Sequence, residues 1–426
     1  MRLFKKIINN IDKNSLFVIL EGIVFTTALN LYNPFIQMFA KRMGAGDIHV
    51  ALLNSMPPLM AILVLVPCGI FIDRLEDKKR ATCILILLNG VFYLLIASVP
   101  FFPDTYRVVL YVVLIGLMNW PGSLYGTTWQ SFFVETFKGA QARLVYSLRS
   151  KYGAFFGLIT VLLTGLILTK IPTNDAERLV IYQLFYVACF ILAILQAFIL
   201  SRVKNGSGLA NGDGKYIPSF NINDFKHMLS NRKFIIFSAI SFVFHIGWQL
   251  AWPLFFIYNV DYVKVNEFQL SLLNVASGLS AFLSYSFWNK LADNRGGSFA
   301  MMLSAAAMAV NPFFYVKLMS VEILVIINVL IGIANAGITL TLFSCLMETL
   351  PEDKRTVYIS FFNTFISISG FFSPLAGVWI YNRVGIHTAF LLIGLVRILA
   401  TFLYFIGWLM ERKAGRNLNS GSEISV

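Results

Sequence analysis

The chain has 426 residues, 58% hydrophobic and only 13% charged, with 34 lysines and arginines against 21 acidic residues and a net charge of +13. A soluble domain carries about 25% charged residues, so a water-soluble globule is excluded and most of this chain faces lipid. Basic residues scattered between apolar runs act as membrane-orientation signals, which excludes a nucleic-acid-binding face.

A membrane-crossing helix needs about 20 mostly apolar residues. Twelve such spans are predicted, near 15–39, 47–70, 81–101, 107–134, 144–169, 179–201, 234–259, 267–288, 298–316, 322–347, 357–381 and 387–410. The basic start Met1 to Lys6 precedes an apolar stretch too long for a cleaved signal peptide and without a small-residue cleavage site, so the first span is expected to stay in the mature protein. The expected domains are an N-terminal six-helix bundle (1–202), a cytoplasmic linker (203–233), a C-terminal six-helix bundle (234–411) and a cytoplasmic tail (412–426). Within the linker, Asn205 to Gly208 and Asn211 to Gly214 read as flexible coil, and 220–234 as a short interfacial helix. Connectors on one side of the spans hold 25 lysines and arginines and those on the other hold 8, which predicts a multi-pass protein of the cytoplasmic membrane with both termini in the cytoplasm.

The two halves repeat. Pro34 in span 1 and Pro253 in span 7 are 219 residues apart, the connector residues Asp73 and Asp293 are 220 apart, and Asn119 in span 4 and Asn335 in span 10 are 216 apart. The prediction is therefore an all-α membrane protein, its twelve transmembrane helices forming two pseudo-symmetric six-helix bundles.

Between spans 2 and 3 the chain reads Gly69-Ile70-Phe71-Ile72-Asp73-Arg74, followed by Lys78, Lys79 and Arg80; between spans 8 and 9 it reads Leu291-Ala292-Asp293-Asn294-Arg295-Gly296-Gly297. With twelve spans around them, these residues resemble the major facilitator superfamily, which carries G-x-x-x-D-R-x-G-R-[RK] at the first position and a weaker copy at the second. Gly69, Asp73 and Arg74 match, while Glu76 and Asp77 replace the later Gly and Arg; the second copy keeps Asp293 and shifts its basic residue to Arg295. The resemblance implies alternating access, with Gly69, Asp73, Arg74, Asp293 and Arg295 in conformational gating. Glu135 and Glu348, which end spans 4 and 10 with Arg143 and Arg355 just beyond, are expected in the same cytoplasmic charge networks. The sugar-porter pattern after span 6, the proline and glycine run of antiporters in span 5 and the E-R of peptide symporters after Glu21 are all missing.

In span 1, Gly22, Thr26, Asn30, Asn33 and Gln37 recur at helical spacing, and adding 219 gives Ser241, His245, Gln249, Trp252 and Phe256 in span 7. Lipid penalises such polar groups, so Thr26, Asn30, Asn33, Gln37, His245, Gln249 and Trp252, with Asn119 and Asn335 as a second tier, are the expected substrate-binding residues; interhelical packing is the alternative. His245, near mid-membrane, and Glu21 are the candidates for proton coupling, with ion pairing to Arg149 or Lys151 the other reading of Glu21. Arg397 lies mid-span in span 12, where a bare cation is costly, and has no assigned role.

Four cysteines without C-x-x-C spacing predict neither disulfides nor a metal site, and the lack of a phosphate-binding loop predicts no nucleotide or other cofactor. No Ser/His/Asp or Cys/His constellation converges, so the chain is not expected to be an enzyme. The function expected is secondary active transport of a small neutral or amphipathic solute, proton-coupled and directed outward. A lipid or lipid-linked sugar translocase and uptake of a polar metabolite are the alternatives. The partners are a small molecule, membrane lipids and protons.

Overall fold

The computed structural model describes residues 12–73, 77–204, 228–317, 320–351 and 355–422; for 64–73, 140, 355–357, 411 and 413–422 only the backbone is described. Most of the linker, with its flexible coil and the larger part of the expected interfacial helix, lies outside these residues, as does Arg74.

Helix starts follow local chemistry. Asp12, Asp77, Asn174 and Asn231 each accept a hydrogen bond from the backbone N–H three residues on, satisfying one of the donors that a helix N-terminus leaves free. Asp77 thus departs from the connector motif and serves as the N-cap of span 3. The spans are Lys13–Arg42, Asp47–Asp73, Lys78–Phe101, Asp104–Thr136, Gly139–Lys170, Asp175–Ser201, Arg232–Tyr262, Glu267–Arg295, Gly297–Phe314, Val321–Thr349, Arg355–Val384 and Ile386–Ser422. Over the described residues eleven are long and apolar enough to cross a membrane, and the second, Asp47–Asp73, has 27 residues. Residues 412–422, expected in a tail, continue span 12 as helix.

In the eleven spans, between 28% and 50% of an 18-residue apolar window is buried within the protein. Two compact units result: Met1–Pro218 with Asn266–Ser271, and Ser219–Val265 with Leu272–Val426. In the first, span 1 packs on spans 5 and 6, and span 3 on spans 4 and 6; in the second, span 7 packs on spans 11 and 12, and span 9 on spans 10 and 12. The same packing order recurs, and so does the helix break. Pro34 turns span 1 through a 3-10 segment at Asn33–Phe35, and span 7 is interrupted at Ala251 just before Pro253.

The cores differ in kind. In the first unit, Phe39 stacks on Tyr182 and meets Tyr111 edge to face, and the Tyr111 hydroxyl donates to the Ile36 carbonyl (3.1 Å) beyond the span 1 turn. The second unit buries Phe244, Met301, Met308, Ala334, Ile338 and Tyr404 in one apolar cluster.

Candidate functional site

In the first unit the polar stripe of span 1 lies against span 5. The Thr26 hydroxyl donates to the Gly22 carbonyl at 2.8 Å and the Asn30 amide donates to the Thr26 carbonyl at 2.8 Å. A Cβ on Gly153 would stand 2.7 Å from Thr26 Oγ1, and one on Gly157 would stand 2.8 Å from Asn30 Nδ2. Thr26 and Asn30 are therefore brought together in a close helix seam, each with one donor committed to its own helix. Asn119 likewise donates to the Ile115 carbonyl at 2.7 Å. Asn33 is exposed and Gln37 half-buried, farther along the same span.

One turn from this seam the unit buries a charge. Glu21 is fully buried, accepts from Tyr125 Oη at 2.8 Å and Gln196 Nε2 at 2.7 Å, and pairs with Arg149 Nε at 3.0 Å. The Arg149 guanidinium stacks 3.9 Å from the centre of the Trp129 ring, so its remaining face is covered by a π-cloud. Sequence reasoning found Glu21 and Arg149 but missed Gln196, whose place as an amide deep in an apolar span was the available signal, and Tyr125, which gave none. It also missed Glu267, 1% exposed and grouped with this unit, which accepts from Arg42 Nε at 2.9 Å; Arg42 also reaches Asp175 at 3.2 Å.

In the second unit Ser241, His245 and Gln249 are buried on one face of span 7, and Trp252 is half-buried just past the break. His245 Nδ1 donates to the Ser241 carbonyl at 2.7 Å, which leaves Nε2 of the neutral ring as the acceptor. An aromatic run follows, with ring centroids 5.5 Å apart for His245 and Trp248 and 6.0 Å for Trp248 and Trp252. Span 10 packs on span 7, and Ala334 and Phe244, the sequence neighbours of Asn335 and His245, share one buried cluster. Gln249 Oε1 and Asn335 Oδ1 are buried and have no hydrogen-bond partner among the described residues. A buried carbonyl oxygen without a donor costs about 1–3 kcal/mol, and Ser55, Trp129, Tyr182, Ser238, Asn259 and Asn311 also carry a buried polar atom without a partner among the described residues.

Arg397 is fully buried and donates to three backbone carbonyls: Gly247 (Nε, 2.9 Å), Trp248 (Nη2, 3.1 Å) and Met308 (Nη1, 2.9 Å). No carboxylate pairs with it among the described residues.

A family model described as Major Facilitator Superfamily matches residues 18–246 and again 237–424, once for each half. The chain belongs to the Major Facilitator Superfamily. It is a multi-pass integral membrane protein and a secondary transporter, not an enzyme. Superfamily structures share its fold: a crystal structure of the nucleoside transporter NupG matches with TM-score 0.67 at 13% identity, covering 92% of this chain and 98% of that one. A point mutant of NupG matches equally, and a bacterial homologue of the iron transporter ferroportin in its inward-facing state matches with TM-score 0.66 at 13% identity over 91% and 98% of the two chains. No curated protein sequence matches the chain.

Of the superfamily connector residues, Gly69 and Asp73 close the helix of span 2, with side chains outside the description. Glu135 pairs with Lys78, not with Arg143. Asp293 and Arg295 are exposed at the end of span 8. Glu348 Oε1 would lie 3.4 Å from a Cβ on Gly297, which brings a carboxylate to the N-terminus of span 9, where the helix dipole favours it.

Proposed function

We propose that this superfamily transporter moves a small neutral or amphipathic solute that carries hydrogen-bond donors, held on spans 7 and 10 by His245, Gln249, Trp252 and Asn335. The pair of buried, unpartnered amide oxygens on Gln249 and Asn335 carries the reading. The aromatic run supplies an apolar wall, and no acidic or basic side chain is among Ser241, His245, Gln249 and Trp252 apart from the titratable His245. Thr26, Asn30 and Asn119 support it less, because the Thr26 hydroxyl proton and one amide donor of each Asn are taken by their own helix. Proton coupling is assigned to His245, whose Nε2 can take up a proton while Nδ1 keeps its carbonyl. Glu21, surrounded by three donors, is assigned to structure. Both termini are placed in the cytoplasm on the 25 to 8 excess of basic residues, and Gly69, Asp73, Arg74, Asp293 and Arg295 are assigned to gating on their motif positions.

Thermal unfolding of the purified protein with uridine, nicotinamide or glucose, against citrate and glutamate, tests this. A bound solute at 100 times its dissociation constant adds about 2.7 kcal/mol. At least one uncharged compound is expected to raise Tm. Gln249→Ala or Asn335→Ala should weaken that compound roughly fivefold, the loss of about 1 kcal/mol of net hydrogen bonding. Stabilisation by the anions alone, or equal stabilisation of wild type and both variants, contradicts the assignment.

A further inference from the structure

Three backbone carbonyls converge on Arg397, a buried cation of span 12, and two helix interruptions explain why they are available. Span 7 stops being α-helical at Leu250, so the carbonyls of Gly247 and Trp248 fall in the last turn of a half-helix, where no regular donor follows. Span 9 contains Pro312, which has no N–H to offer the carbonyl four residues back, that of Met308. Arg397 reaches all three, and its guanidinium lies 5.7 Å from the Phe255 ring beyond the break. The cation also sits at the negative end of the half-helix dipole, which offsets part of the cost of burying it without a counter-ion.

The internal repeat shows that the fold alone does not require this. Ala28 and Gly247 are 219 residues apart, the offset that relates Pro34 to Pro253. In the first unit the Ala28 carbonyl is met by the weak donor Cys189 Sγ at 3.3 Å from span 6; in the second the Gly247 carbonyl is met by Arg397 from span 12. The same packing is completed once by a small thiol and once by a rigid, permanently charged fork. Gly247 is adapted to that fork, since a Cβ there would stand 3.1 Å from Arg397 Cγ.

We infer that Arg397 is a positioning residue: it locks the break in span 7 and so fixes Gln249, just before the break, relative to Trp252, just after it. The inference rests on the proposed site only for its consequence in transport; the lock itself is tested without any solute. Arg397→Lys keeps the charge but cannot span three carbonyls, because an ammonium is a point donor and a guanidinium a planar fork.

The test is 19F NMR of protein labelled with fluorotryptophan, which reads all seven tryptophans, with Trp248 and Trp252 assigned by Trp→Phe substitution. Arg397→Lys is expected to shift or broaden the Trp248 and Trp252 resonances while Trp120, Trp129, Trp288, Trp379 and Trp408 stay in place. If the Lys variant misfolds and all seven collapse, Gly247→Ala is used instead; it keeps the cation but displaces it, and the same two resonances should move. Unmoved Trp248 and Trp252 signals in a folded variant overturn the inference. A failure of the solute assay with these two signals moved counts against the proposed site and leaves the lock standing.

Discussion

Glu21→Gln is expected to lower the stability of the purified protein by about 3–5 kcal/mol, the usual cost of removing one partner from a buried ion pair. The substitution keeps the shape of the side chain but takes away the one negative charge that pairs with Arg149 among the described residues; its guanidinium is otherwise held by the Trp129 ring and the Tyr125 hydroxyl. Arg149 cannot shed its proton to become neutral. Tyr125 and Gln196 remain to bond Glu21, so Arg149→Met should cost less. The double variant should be more stable than Glu21→Gln alone, because no unpaired charge is left inside the bundle. Thermal unfolding of the three variants checks the order; strict additivity would show that the two groups do not interact.

Gly377→Ala should destabilise by about 3 kcal/mol, the upper end of the usual cost of overpacking. A Cβ at this position would stand 2.1 Å from the Leu250 carbonyl oxygen, and that oxygen belongs to the backbone at the span 7 break, so it cannot rotate away as a side chain tip can. Span 11 would have to withdraw from the break. Gly126→Ala is the control: nothing lies within 4 Å of its Cβ position, and replacing a helical glycine gains about 1 kcal/mol. Opposite Tm shifts for the two substitutions are expected, and a neutral Gly377→Ala would show that span 11 does not bear on the break.

The spans were legible because a bilayer demands about 20 apolar residues at a time, and that demand is written directly in residue type. The duplication was legible through Pro34 and Pro253, whose effect on a helix is the same wherever they occur. The partner of Glu21 was legible in part, since a buried carboxylate needs a cation and few were within reach. The partners of Arg397 were not, because backbone carbonyls released by a helix break or by Pro312 carry no signature in side-chain type. The stripe of Thr26 and Asn30 shows a different limit. Polarity indicates that a face avoids lipid, but a substrate cavity and a helix seam both satisfy that condition. Gly153 and Gly157, four residues apart on span 5, were the signal for the seam, and they are the residues that receive Thr26 and Asn30.

The central claim is that a donor-bearing neutral solute crosses the membrane by way of Gln249 and Asn335. The most direct measurement is proton-gradient-driven accumulation, in proteoliposomes, of the uncharged compound that stabilises the wild type, compared with Asn335→Ala and Gln249→Ala protein of matched Tm. Accumulation by the wild type that collapses in both variants is the predicted result. Equal accumulation by all three proteins would place the solute elsewhere and contradict the account.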